Sequence, residues 1–351
     1  MSKEKFAGGF VVFVFIMFLI MYTLDRVGER KIYLPNYLPN RDLYIKNNSK
    51  TKTTSSSVSM VTVKTTSAPI MTSNKRQVSP QNDLHQYPYL ILEKDVCKTK
   101  NSTDVFLVIA VCITPQNFEH RHVIRETWAS IGKTNPQTRL VFILGNPRDE
   151  KVQAKLENES RTYHDIIQED FVDSYRNLSI KSVAILKWVS NYCKTAKYVL
   201  KVDDDMYINV ENLVKVLEQR AVKNSVLGFL IRGARPVQDK NSKWYTPRNA
   251  FNGDVYPDYC SGTAYVLSSD IVPKLFKVSQ EIPLFWLEDI FITGICRTRI
   301  KANIVNDWGF TYGKPHPDGC TFRKRIGGHR YTLEEMRKIW KEVNDAILKC
   351  Q

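Results

Sequence analysis

The 351-residue chain carries 51 Lys and Arg against 36 Asp and Glu, a formal charge of +15, with 43% hydrophobic residues. That apolar content is ordinary for a globular protein and excludes a wholly disordered chain; the length allows one sizeable domain with extensions or two small ones. The positive charge points first to nucleic acid, but its placement excludes a groove-reading module: seven Lys or Arg residues between Arg41 and Asp83 face one acid, Asp42, in a low-complexity stretch.

In chain order, residues 7–24 (AGGFVVFVFIMFLIMYTL) come first, eighteen residues without a charge and long enough to span a bilayer core. A cleaved signal peptide has a shorter apolar core and a small-residue cleavage site, and Tyr22 to Arg26 offers none. Lys3 and Lys5 before the span nearly balance Arg26, Arg30 and Lys31 after it. Orientation therefore comes from the N-x-S/T sequences at Asn47, Asn101, Asn158 and Asn177, all beyond the span, which predict a cytosolic tail at 1–6 and a body in a glycosylating lumen. Residues 25–95 read as a lumenal stem, since the Ser-, Thr- and Lys-rich run between 41 and 82 buries too little apolar surface to offset its ordering entropy. Residues 96–351 read as the catalytic body. None of the seven cysteines forms a CxxC pair, which fits disulfide use in an oxidising compartment. Cys112, inside VFLVIAVCI, is expected to be free. Cys320 and Cys350 bracket a thirty-residue tail and are expected to be bonded, with Cys260 and Cys296 as a second pair.

Within the body, VFLVIAVCI (105–113), RLVFILG (139–145), DIIQ (165–168) and YVLKV (198–202) read as strands. FEHRHVIRETWAS, EKVQAKLENESRTY, SIKSVAILKWVSNYC and ENLVKVLEQ read as helices, and the alternation predicts an α/β domain with a largely parallel central sheet. Ligands of such sheets sit at the carboxyl ends of the strands. Asp203, Asp204 and Asp205 stand there, directly after YVLKV. Three carboxylates so close repel unless a cation offsets them, and oxygen ligands at that spacing suit Mg²⁺ or Mn²⁺, which can bridge phosphate oxygens. A helix-capping acidic turn is the plainer reading of such a tripeptide, but a second acidic pair, Glu288 and Asp289, recurs in FWLEDIFITG.

Seven motifs occur in one order from Val105 to Cys350: RHVIRETW (121–128), VFILG (141–145), EDFVDSYRNLSIKS (169–182), KVDDDMYIN (201–209), YPDYCSGTAYVLS (256–268), LEDIFITGIC (287–296) and GGHRYTLEEMRKIW (327–340). On them the chain resembles the β1,3-glycosyltransferase family that transfers galactose or N-acetylglucosamine from UDP-sugars in the Golgi. The resemblance implies a GT-A fold, a single-pass type II membrane topology in the Golgi, Mn²⁺ dependence and inversion at the anomeric carbon. It implies Asp289 as the base that takes the acceptor's proton, with Glu288 as its alternative. It implies Asp205, together with Asp203, on the metal, and Asp203 and Asp204 facing the ribose and the metal's water shell. Arg121 and Arg125, four apart on one helical face, either pair with the nucleotide or form a solvated surface.

Among the six histidines, His329 stands apart in RKRIGGHRYTLEE, where glycines permit close approach and Thr332 starts a helix. The resemblance implies that it binds the metal, with His316 as the fallback. CSGT at 260–263 looks like the galactose-transferring relatives, with Gly262 open to the donor, although Ala264 replaces a commonly found Gly. Tyr256, Tyr259 and Trp286 suit either a sugar site or the core. The expectation is UDP-galactose as donor and a glycan on protein or lipid as acceptor, with UDP-GlcNAc or UDP-GalNAc as alternative donors. An inactive membrane-anchored lectin-like protein is the alternative from another class.

Overall fold

The computed structural model describes residues 86–98 and 104–350. The apolar span at 7–24, most of the stem, and the Asn47 and Asn101 acceptor sequences lie outside the described residues. Among the described residues no helix is long and apolar enough to cross a membrane.

The main sheet is built from β1 (Tyr89–Ile91), β2 (Leu107–Cys112), β3 (Thr138–Asn146), β4 (Ile166–Val172), β5 (Tyr198–Asp203), β7 (Ser225–Ile231), β8 (Tyr259–Ser268) and β9 (Asn303–Asn306). Their order is β1-β4-β3-β2-β5-β8-β7-β9. The four central strands β4, β3, β2 and β5 run parallel, and β8 joins β5 antiparallel. Strand β2 explains the layering. All six of its residues are buried, with Leu107, Ile109 and Val111 in one core and Val108, Ala110 and Cys112 in the other. A strand whose two faces are both covered reads as an unbroken apolar run, and helices pack on each side.

One face carries helices α1 (Phe118–Glu126), α2 (Glu150–Tyr163), α4 (Val210–Arg220) and α6 (Leu333–Val343), through Ile124, Leu156, Leu213 and Ile339. The other carries α3 (Leu178–Tyr192) and α5 (Val272–Glu281), through Val183, Trp188 and Leu275. Side chains close the helix starts: Asp149 caps α2, Asn209 caps α4, and Thr332 with Glu335 forms a capping box on α6. Helix α1 ends at Glu126, earlier than its apolar pattern implies, and the Thr127 hydroxyl donates to the Val123 carbonyl.

Two expectations change here. The folded body begins before residue 96, because β1 lies within the expected stem and pairs antiparallel with β4. Cys260 and Cys296 are not bonded: both are buried thiols, pushed up to about 12 by burial, and act as small apolar packing groups. Cys112 is likewise buried and free. Cys320 is bonded to Cys350. A second bridge, Cys97 to Cys193, was not legible in the spacing because it closes a separation of 96 residues, tying the segment after β1 to the end of α3.

Closing a loop of that length contributes about 4–5 kcal/mol in the chain-entropy model. Cys193→Ala is therefore expected to lower the melting temperature by on the order of 10 °C. Thermal denaturation under non-reducing conditions checks this, and an unchanged midpoint would show that the bridge does not constrain the unfolded chain.

Candidate functional site

The site forms where β5 ends. Alternation along the strand points Val199, Lys201 and Asp203 to one side and Leu200 and Val202 to the other. After Asp203 the chain turns through Asp204 and Asp205 into the short strand β6 (Met206–Ile208). Strand β6 pairs antiparallel with β10 (Gly327–His329), in a register that sets His329 opposite Met206. The Tyr331 amide also donates to the Asp205 carbonyl, at 3.0 Å. Residues more than a hundred positions apart are thereby locked side by side. Glycines make the approach possible: a Cβ at Gly328 would lie 2.7 Å from the Tyr331 hydroxyl and 2.8 Å from Pro315.

His329 Nε2 lies 3.1 Å from Asp205 Oδ2. Its Nδ1 lies 3.2 Å from the Tyr312 carbonyl oxygen, which can only accept, so Nδ1 carries the hydrogen and Nε2 is the atom left for a cation. Asp203, Asp205 and His329 each place one ligand atom within 4.8 Å of the others, a donor set of two carboxylates and an imidazole that fits a divalent ion of intermediate hardness. Asp204 is not part of that group, since its carboxylate accepts from the Asn117 side chain at 2.7 Å. Burial raises the Asp204 carboxyl above its ordinary range. His316, the fallback, is exposed and pairs with Asp318.

The positive partner that the aspartates require is already in the chain. Lys201, 3% exposed, places its ammonium 2.6 Å from Asp203 Oδ1 and 3.5 Å from Glu288 Oε2, and it donates to the Gly262 carbonyl. It was not singled out in the sequence, where it reads as one more lysine; its place inside an otherwise apolar strand was the available signal. Burial raises Asp203 to about 6 despite this cation, and the nearby Asp205 and Glu288 charges add to the rise.

Glu288 is buried, accepts from the Tyr265 hydroxyl at 2.6 Å and faces Lys201, so it is turned inward. Asp289 is partly open to solvent at the start of a π-helical stretch, Ile290–Cys296, and accepts from the Ile290 amide at 2.9 Å and the Gly262 amide at 3.2 Å. Burial first, and the Glu288 charge second, raise Asp289 to about 7. Gly262 is small because this carboxylate needs the room: a Cβ there would lie 3.1 Å from Asp289 Cβ and 3.3 Å from Asp289 Oδ2. Ala264, in turn, is buried opposite Val202 and lines no cleft.

Arg121 and Arg125 are neither nucleotide ligands nor a solvated face. They are 0% and 3% exposed, and both pair with Glu159, while Arg125 also grips Asp165 through two bonds of 2.8 Å. Arg121 donates further to the carbonyls of Thr114 and Pro115, which pins the loop after β2 that carries Asn117. Periodicity placed both arginines on one face, but could not show that the face meets α2. Tyr256 is core, while Tyr259 and Trp286 are half-buried. Of the glycosylation sequences, Asn158 is exposed on α2 and Asn177 precedes α3, its side chain donating to the Val172 carbonyl.

A family model described as Galactosyltransferase matches residues 119–307. Human β-1,3-galactosyltransferase 1 is 35% identical over 271 residues, covering 76% of this chain and 82% of that protein. Human lactosylceramide 1,3-N-acetyl-β-D-glucosaminyltransferase is 35% identical over 279 residues, covering 75% and 72%.

Removing the ammonium while keeping the stem length tests the centre of the site. Lys201→Met leaves buried Glu288 and half-buried Asp203 without their cation, and the uncompensated buried charge costs about 3–5 kcal/mol. A large drop in denaturation midpoint at pH 8 is expected, with partial recovery in acid as the carboxyls protonate. Equal stability to the parent at pH 8 would refute this role.

Proposed function

The chain belongs to the galactosyltransferase family, and on that premise we propose that it is a metal-dependent, inverting β1,3-galactosyltransferase using UDP-galactose and a glycan acceptor. One observation carries the reading. Asp289, a partly exposed carboxylate held near neutral pKa, accepts from the Gly262 amide, the Gly262 carbonyl accepts from Lys201, and Lys201 pairs with Asp203 of the Asp203, Asp205 and His329 group, so a base and a cation site are joined by one run of hydrogen bonds.

Asp289 takes the proton of the acceptor hydroxyl as that oxygen forms its bond to the anomeric carbon, and the bond to the diphosphate breaks on the opposite face. The proton ends on Asp289 and the electron pair leaves with UDP. Glu288 is the neighbour that, with burial, keeps Asp289 basic enough for this work. Asp203, Asp205 and His329 would hold a divalent ion such as Mn²⁺, which would supply Lewis-acid neutralisation of the diphosphate. The CSGT sequence at 260–263 and the galactosyl-transferring relative favour galactose. The N-acetylglucosaminyl-transferring relative keeps UDP-GlcNAc as the alternative donor. The same reading makes residues 7–24 a signal anchor and places the body in the Golgi lumen. Assay of purified protein against UDP-galactose and UDP-GlcNAc decides the donor, and transfer of N-acetylglucosamine alone would overturn the assignment.

Asp289→Asn is expected to lower kcat by about 10²–10⁴ while leaving UDP-galactose binding within a few-fold, because it removes a base and not a ligand. A base works ionised, so kcat/KM of the parent should rise with pH through about 7, and this limb should be missing in the variant. The sign for stability is opposite. The folded carboxyl binds its proton more tightly than an unfolded one, so its stabilising contribution is full in acid and fades as pH rises through about 7. Asp289→Asn should therefore be at least as stable as the parent at pH 8; calorimetry and a pH–rate profile check both halves.

His329→Ala should raise the Mn²⁺ concentration needed for half-maximal activity by about tenfold or more, and weaken UDP binding in parallel, with the fold retained. Superimposable Mn²⁺ activation curves would remove His329 from the site.

A further inference from the structure

Beside Asp289 lies an aromatic group that the chemistry above does not use. Trp286 is three residues upstream of Asp289, and Tyr175 follows β4. Their ring centroids are 6.4 Å apart. Trp244 comes from the long connection between β7 and β8, and Lys243 Nζ sits over both its ring and that of Tyr175. Tyr175 is 47% and Trp244 44% exposed, while Trp286 packs one side against the core. Three separate segments thus bring large apolar rings together, two of them exposed and the third, half-buried Trp286, three residues from the carboxylate assigned as base. Burial, and then the charges of Asp289 and Asp203, raise the Tyr175 hydroxyl above its ordinary range, so both carboxylates act on it.

Two cations sit over these rings. The Arg176 guanidinium carbon is 3.9 Å from the Trp286 centroid, and Lys243 Nζ is 4.9 Å from the Trp244 centroid and 5.3 Å from that of Tyr175. Neither has a carboxylate partner among the described residues. A pyranose has complementary chemistry: a face of C–H groups that stacks on an aromatic ring, and a rim of hydroxyls that accept from cationic donors. We infer that Tyr175, Trp244 and Trp286, with Arg176 over Trp286 and Lys243 over the other two rings, form the subsite that binds the terminal pyranose of a neutral glycan acceptor and presents its hydroxyl to Asp289. The inference rests on the transferase reading for the direction of the hydroxyl, but sugar binding itself does not.

The test uses the full chain with Trp244→Ala, Trp286→Ala and the conservative Trp244→Phe, each checked for an unchanged melting temperature. Methyl β-D-galactopyranoside and methyl N-acetyl-β-D-glucosaminide serve as acceptors in kinetics and as titrants of tryptophan fluorescence. Both alanine variants are expected to raise acceptor KM by about tenfold, with UDP-galactose KM within about twofold and Trp244→Phe close to the parent. Should Trp286→Ala unfold the protein, the solvent-exposed Trp244 pair decides. Unaltered acceptor KM in the alanine variants of an active enzyme overturns the subsite and leaves the transferase reading intact. So does a rise in acceptor KM only for Trp308→Ala, a 73% exposed ring on another loop. A parent that transfers no sugar but binds these glycosides, with binding lost in the alanine variants, overturns the transferase reading and keeps the subsite.

Discussion

A single buried ammonium, that of Lys201, organises the site. Isolated in an apolar layer it would cost several kcal/mol to desolvate, so it is stable there only because Asp203, Glu288 and the Gly262 carbonyl converge on it. Those partners come from β5, from β8 paired beside it, and from the turn into the π-helical stretch. The same ammonium that lets Asp203 stay beside Asp205 also holds Glu288 inward, and Glu288 in turn helps keep Asp289 near neutral pKa. The cation group and the Asp289 carboxylate are therefore two ends of one electrostatic arrangement.

The loops at the carboxyl edge of the sheet are held by the same device. Lys181, 1% exposed, donates to the Ile113 carbonyl after β2 and pairs with Asp173 after β4. Asp173 also accepts from the Gly145 amide near the end of β3, at 2.7 Å. Arg121 secures the next two carbonyls, those of Thr114 and Pro115, and is itself balanced by Glu159. Each buried cation thus satisfies backbone groups that a loop would otherwise leave without partners while being neutralised by a carboxylate. The rigid edge that results is what a site for a charged, flexible donor needs, because ordering the protein at the moment of binding would subtract from affinity.

Much of this was readable from the chain alone. The two-sided burial of β2, the α/β alternation, the position of the aspartates at a strand's carboxyl end and the capping box at Thr332 all follow from local periodicity and side-chain chemistry, which act over a few residues. The bond between Cys320 and Cys350 was also legible, because both ends bracket one short tail.

What the sequence could not decide was which long-range partner each charged or polar group meets. Arg121 and Arg125 have the spacing of a surface stripe, and only the packing of α1 on α2 turns them into a buried scaffold. Lys201 became central because Glu288 folds over it from 87 positions away, and the separation of Glu288 from Asp289 into an inward and an open carboxylate depends on the turn that starts the π-helical stretch. Cys260 and Cys296 remain thiols because each is enclosed by the core. Propensity and pattern are local quantities, whereas the partner of a buried charge is set by desolvation, which exists only once distant segments have closed around it.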